Sequence, residues 1–381
     1  MLRILLLVSQ ALVVVLAGYN LVVAAWGLRD QAAIRRGTRR RLLRIVIPAH
    51  NEGAVIGRLL ADLADQDYPA QHVRVVVLAD RCTDDTVAAA GSIEVVERTD
   101  GADGKGAALA WYLEHWPLAI DESIVVLDAD NRLDETFLTG VADALDNGFD
   151  AAQAYVDTSN PDASWLTTAS ALSYWASNRM VQLARHNLGW APDLGGTGTA
   201  FAPTASWVLE YESGALTEDS EQVARLVLSD RRIAWLHGVR VYDQKPASMG
   251  VAMRQRARWM SGKRSVARTY RSKLLREAVR KRSWGPVDVV IRQSQPGRSF
   301  MVGVSGILAV AAWVWDQLWP WWVWAIIVIV QIAAPLLFLM RDRVPGRYLW
   351  RYPLLVVFGL LWLPVRFMSA RVRGWYHTPH D

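Results

Sequence analysis

In the 381-residue chain, carboxylates stand where runs of branched apolar residues end. Asp128-Ala129-Asp130 follows Ile124–Leu127, Asp80 follows Val73–Leu78, and His50-Asn51-Glu52 follows Ile45-Val46-Ile47-Pro48-Ala49. Two carboxylates two residues apart in the turn leaving a strand can share a divalent cation with a diphosphate, because Mg²⁺ is typically held by one or two carboxylates plus phosphate oxygens. Such pairs also arise by chance, and an Asx turn or helix cap is the plainer role for Asp128 and Asp130. Their position after an apolar strand favours the cation.

Two further groups carry polar chemistry. Glu218-Asp219 precedes a helix-like stretch, Ser220–Leu228, where either acid complements the helix dipole or one of them acts as a general base. Met249 to Tyr270 reads as a helix with two faces at i, i+3, i+4 spacing. Met249, Met253, Arg256 and Met260 form a face suited to a membrane surface. Gln255, Arg258, Trp259 and Gly262 form another, which brings a guanidinium, an amide and an indole toward a cleft where Arg binds phosphate. Gly104-Lys105-Gly106 lacks the full glycine pattern of a phosphate loop and the Ser/Thr after Lys, which excludes a nucleotide triphosphatase. Lys105 is left as either a nucleotide contact or a solvated loop lysine. Gly195 to Phe201 lets backbone approach a ligand closely or makes a flexible turn.

The elements that must position these groups are short Val/Ile-rich runs at Arg44–Ile47, Val73–Leu78, Ile93–Val96, Ile124–Leu127 and Ala151–Val156. Helix-like stretches at Ala54–Asp65, Asp84–Ala90 and Ala107–Glu114 lie between them. Continuous apolar strands alternating with helices predict an α/β domain with a mostly parallel sheet, covered on both faces. Ligands in such sheets bind at the carboxyl ends of the strands, where the acids stand.

Charge and hydropathy frame the domain. The chain is 52% hydrophobic, with 19 Trp, one Cys and net charge +5, which excludes a disordered chain and a disulfide scaffold. Residues 45–253 carry net −18, whereas residues 1–44, 254–298 and 299–381 carry +7, +12 and +4. An acidic domain flanked by basic segments next to apolar ones suits a membrane surface and excludes nucleic acid as partner. Ile4–Leu28 is an uncharged run long enough to cross a hydrocarbon core of about 30 Å. Phe300–Trp315, Trp321–Met340 and Pro353–Ser369 bring the expected spans to about four. Trp313, Trp315, Trp319, Trp321, Trp322 and Trp324 fit an interfacial belt. The Arg cluster from Arg29 to Arg44 predicts a multi-pass cell-membrane protein with its domain in the cytosol. The expected layout is an N-terminal transmembrane helix (1–28), a basic linker (29–44), the domain (45–240), basic interfacial helices (241–298), three C-terminal spans (299–370) and a tail (371–381).

In order and spacing, Ile47-Pro48-Ala49-His50-Asn51-Glu52, Asp80, Asp128-Ala129-Asp130, Thr217-Glu218-Asp219 and Gln255-Arg256-Ala257-Arg258-Trp259 resemble the signature of membrane-bound family 2 glycosyltransferases. That group includes cellulose, chitin and hyaluronan synthases, ceramide glucosyltransferase and, closest in layout, the nodulation chitooligosaccharide synthase. The resemblance implies a GT-A catalytic domain in which Pro48, Ala49, Glu52, Asp80 and Lys105 line the nucleotide pocket and Asp128 touches the nucleotide. It implies that Asp130, with Asp128, holds Mg²⁺ or Mn²⁺ on the diphosphate, and that Asp219 deprotonates the acceptor. Glu218, Gln255 and Trp259 would border and gate the acceptor site, and Arg258 would bind the departing diphosphate. The expected reaction is inverting transfer from a UDP-sugar, UDP-N-acetylglucosamine or UDP-glucose, to a growing β-linked glycan. The alternative is single transfer to a membrane lipid acceptor. The sequence departs from the family pattern at Ala79-Asp80, which lacks one carboxylate, and at Arg81-Cys82, which replaces a common Gly-Ser.

Overall fold

The computed structural model describes residues 2–38, 40–210, 217–315, 318–361 and 365. The strands are β1 (Leu42–Ala49), β2 (Val73–Asp80), β3 (Glu94–Arg98), β4 (Glu122–Val126), β5 (Arg132–Leu133), β6 (Ala151–Thr158), β7 (Thr199–Phe201) and β8 (Ile233–Asp243). Among the described residues they form one eight-stranded sheet in the order β3-β2-β1-β4-β7-β6-β8-β5. The chain winds outward from β1 through β2 to β3 and returns to place β4 on the other side of β1, all in parallel. A crevice therefore opens beyond the carboxyl ends of β1 and β4, the usual binding place in such sheets.

The expectation of a mostly parallel sheet holds for that half and for the parallel pair of β6 and β8 in the other, and needs correction at two short strands. The short β7 runs antiparallel to both β4 and β6, and β5 runs antiparallel to β8, so the sheet is mixed. Alternation along β1 explains why both faces are covered. Ile45 and Ile47 join the core beneath the helices Gly53–Ala64 and Phe137–Asp146. Val46 points the other way, toward Leu109 and Tyr112 of the helix Lys105–His115 and Val266 of the helix Met249–Lys281. All three β1 side chains are fully buried, the pattern of a central parallel strand.

Two described helices are long and apolar enough to cross a membrane, Ile4–Leu28 and Trp321–Arg341. Of the other expected spans, the first forms a 14-residue helix, Arg298–Ala311, which at 1.5 Å per residue is shorter than a hydrocarbon core of about 30 Å. The second forms a helix at Pro353–Leu361, and most of its remainder lies outside the described residues, as does the tail. The long helices meet at one end through Arg179, which donates to Gly27 O at 2.8 Å, to Asp30 at 3.1 Å and to Asp342. Arg341 closes the cluster on Asp30 at 2.6 Å. Removing Arg179 would leave the mostly buried Asp342 with fewer cationic partners.

The helix from Met249 runs to Lys281, beyond the expected end at Tyr270. Its methionine face also differs from expectation. Met249, Met253 and Met260 pack on Leu166, Ala169, Phe358 and Val365, so protein covers the face assigned to the membrane surface. Arg256 lies with its guanidinium 4.9 Å from the centre of the Phe358 ring.

Candidate active site

A cleft of about 510 Å³ opens at the carboxyl ends of the strands. Pro48, Ala49 and Glu52 reach it from the end of β1, Asp80 from β2, and Asp128 and Asp130 from the turn after β4. Lys105, Glu218 and Asp219 line it from the starts of two helices, and Gln255, Arg258 and Trp259 close it from the long helix. The fold thus brings all twelve residues singled out in the sequence to one cavity.

Each group is held by local chemistry. Asn131 Oδ1 and Thr197 Oγ1 accept from the Asp128 backbone N–H at 3.1 and 2.9 Å. The turn is thereby fixed through Asn131, and the Asp128 carboxylate faces an ion pair with Lys105 instead of capping its own turn. Lys105 opens its helix, so it is no loop lysine, and it also donates to Gly196 O at 2.6 Å. Gly196 has φ +79°, a conformation glycine adopts without strain, and it brings that carbonyl to the ammonium. The glycine-rich loop therefore borders the cleft beside Lys105 and Asp128, and Thr199–Phe201 leaves it as β7.

Asp80 is buried and receives Arg98 at 2.9 Å and Arg81 at 3.1 Å. Arg81 has φ +54°, in the left-handed region that glycine adopts without strain. Its guanidinium continues to Asp103 at 2.5 Å, so Arg81 bridges two carboxylates at the end of β2. His50 Nδ1 lies 2.6 Å from Asp80 O and ties the ends of β1 and β2 together.

The opposite wall differs. Burial, then repulsion from Asp219, raises the Glu218 carboxyl above its usual range. Burial likewise raises Asp219, with Asp193 adding to the shift and Lys263 and Arg258 pulling against it. Two adjacent, partly buried acids titrate as a pair, and the pair keeps a proton to higher pH than a lone carboxylate. Asp219 also accepts from the Ser220 N–H at 2.6 Å, which orients it at the helix start. Gly262 of the long helix abuts Thr217, where a Cβ would lie 2.4 Å from Thr217 Oγ1. Arg258, on the same helix, is near enough to the acid pair to pull both carboxyls down.

Sequence reasoning missed Lys263, Asp193 and Lys245, all of which line the cleft. Lys263 stands four residues beyond Trp259 and so on its face, a spacing that gave the signal. Burial alone would raise Asp193, but Arg292 at 2.7 Å and Lys263 at 3.8 Å outweigh it and hold its carboxyl low. Lys245 is buried beside Asp243 at 2.7 Å and Tyr174, in a loop with no periodicity to betray it.

Asp128 and Asp130 fit a hard divalent cation: they offer carboxylate oxygens and no sulfur or imidazole.

Residues 40–262 match the family described as glycosyltransferase like family 2. No curated protein matches the chain. Among solved structures, the mannosyltransferase PcManGT of Pyrobaculum calidifontis, in complex with GDP-Man and Mn²⁺, is 18% identical with a TM-score of 0.60. That match covers 94% of this chain and 100% of the other. TarS 1–349 of S. aureus is 15% identical with a TM-score of 0.44, over 87% of this chain and 91% of the other. The first of these shares the fold.

Proposed function

The chain belongs to glycosyltransferase like family 2, and from that premise we propose that it transfers a sugar from a UDP-sugar to a hydroxyl presented at a membrane, with inversion. The observation that carries this reading is the single cleft that holds a carboxylate pair able to take a cation together with a raised acid pair, an Arg and a Trp.

The donor would lie with its nucleotide against Pro48, Ala49, Glu52 and Asp80 and its diphosphate near Lys105 and Arg258. Asp128 and Asp130 would hold Mg²⁺ or Mn²⁺, which when bound supplies positive charge against the diphosphate. Asp219 in its ionised form takes the acceptor proton as the acceptor oxygen bonds the anomeric carbon. The bond from that carbon to the diphosphate breaks, and its electron pair leaves with the UDP. Glu218 tunes the base, Arg258 meets the charge on the leaving group, and Trp259 and Gln255 hold the acceptor. An α-linked donor gives a β-linked product.

PcManGT was solved with GDP-Man and Mn²⁺, which supports a nucleotide-sugar donor and a divalent cation. A growing glycan and a membrane lipid are the two acceptors the sequence allows. A second cavity beside Trp259, walled by the apolar helices, favours the lipid. The test is nucleotide release by purified protein from UDP-N-acetylglucosamine, UDP-glucose and GDP-mannose, with and without Mn²⁺, followed by sizing of the product. Cation-dependent release and a single glycolipid are expected; a ladder of products would restore the glycan, and no release from any donor would overturn the reading.

A further inference from the structure

The loop that enters β7 carries two residues in the left-handed region, Gly196 at φ +79° and Gly198 at φ +61°. Glycine has more conformational freedom to lose than any other residue, so a loop built on two of them keeps one shape only if something holds it. One side chain does so. Gln153 of β6 is 1% exposed, and its amide grips the chain on both sides of Gly196: Oε1 accepts the Gly195 N–H at 2.6 Å, and Nε2 donates to Thr197 O at 3.0 Å. Nε2 also donates to Ala154 O at 2.9 Å, which ties the amide to its own strand. Close packing fixes the far end of the loop, where a Cβ on Gly198 would lie 2.5 Å from Val241 Cγ1.

The loop so held meets Asp128 at two points. Gly196 O accepts from Lys105 at 2.6 Å, and the same ammonium pairs with the Asp128 carboxylate. Thr197 Oγ1 accepts the Asp128 N–H at 2.9 Å and donates to Asn131 Oδ1, which accepts that N–H as well at 3.1 Å. Gly195, Gly196, Thr197, Lys105 and Asp128 all line the cleft, whereas Gln153 is buried and is not part of that lining. A lysine on its four-carbon stem has many rotamers, and fixed oxygen partners decide which one it uses. Displacing the Gly196 carbonyl would remove one of the oxygens that hold the Lys105 ammonium, so a side chain outside the site governs the position of a charge inside it.

We infer that Gln153 is a positioning residue for the donor: through the loop it holds the Gly196 carbonyl that steadies Lys105, and so sets where the Lys105 ammonium and the Asp128 carboxylate meet the diphosphate and its cation. The inference rests on the glycosyl-transfer reading of the cleft, in which those two residues face the diphosphate. No bond of the reaction changes at Gln153, and its effect falls on donor binding.

Calorimetric titration of the purified full-length protein with UDP in the presence of Mn²⁺ tests this, with thermal unfolding followed beside it. Gln153→Met keeps the length of the side chain but not its amide, and should weaken UDP binding about tenfold, the equivalent of one hydrogen bond to a charged group. Gly196→Val should reproduce that loss. Nothing lies within 4 Å of a Cβ there, so this substitution acts through the strain of a β-branched residue at φ +79°, and it decides the matter if Gln153→Met fails to fold. Lys105→Met separates positioning from general loosening. A residue that acts through Lys105 costs little once Lys105 is gone, so the double variant Gln153→Met with Lys105→Met should bind UDP within about twofold of Lys105→Met alone. Additive losses in the double variant, or UDP binding unchanged in a folded Gln153→Met or in Gly196→Val, would overturn the inference while the glycosyl-transfer reading stands. Failure of the unaltered protein to bind UDP with Mn²⁺ would overturn that reading and the inference with it.

Discussion

The two ends of the cleft both present carboxylates, yet they treat them in opposite ways. At the nucleotide end, Asp80 lies between Arg98 and Arg81, and Asp128 faces Lys105. At the start of the helix Glu218–Leu228, Glu218 and Asp219 stand partly buried side by side, and their proximity helps hold the pair protonated to higher pH. Environment thus divides one residue chemistry into two tasks. Carboxylates crowded together have their protons held to higher pH, which is the property a proton-transfer role requires.

The sharpest break of that contrast removes the base. Asp219→Asn should lower kcat by about 10³-fold, within the span of general-base effects, while donor binding stays close to that of the unaltered protein. A fall in donor affinity alone would move Asp219 to the nucleotide end. Asp130→Asn should cost about 10²-fold and require more Mn²⁺ for half-maximal rate, read by metal titration of nucleotide release. A smaller effect, on stability, is expected from Arg98→Met. It takes the closest cation from the buried Asp80 and should destabilise the domain by about 3 kcal/mol, measured by denaturant unfolding.

The pH profile sharpens the comparison most gently. The base must be ionised to act, and its carboxyl is raised in the folded protein. The rate should therefore climb with pH through a midpoint above the ordinary carboxylate range. Glu218→Gln removes the neighbouring charge and should move that midpoint to lower pH. A midpoint unmoved by the substitution would mean that the two acids do not interact.

Much of this was legible in the sequence because the central strands are continuous apolar runs. β1, β2, β3, β4 and β6 lie within a few residues of the Val/Ile stretches. What was not legible is direction and brevity. β5 and β7 have two and three residues, too few to show a period, and β7 turns the sheet from parallel to mixed. Helical spacing separated Gln255, Arg258 and Trp259 from the methionine face, but spacing gives a face and not its occupant. Met253 and Met260 therefore pack on Phe358, a contact some hundred residues away in sequence that no local pattern carries. The raised acid pair was visible only as Glu218-Asp219; its place in the cleft, beside the contact of Gly262 with Thr217, depends on tertiary packing.

The most direct measurement is nucleotide release from UDP-sugars by the purified full-length protein and its Asp219→Asn variant, with and without Mn²⁺, across pH. Cation-dependent release that rises with pH and is lost in the variant, whose donor binding persists, is the predicted result. Release unaffected by the substitution would contradict the assignment of the acceptor-end carboxylates to proton transfer.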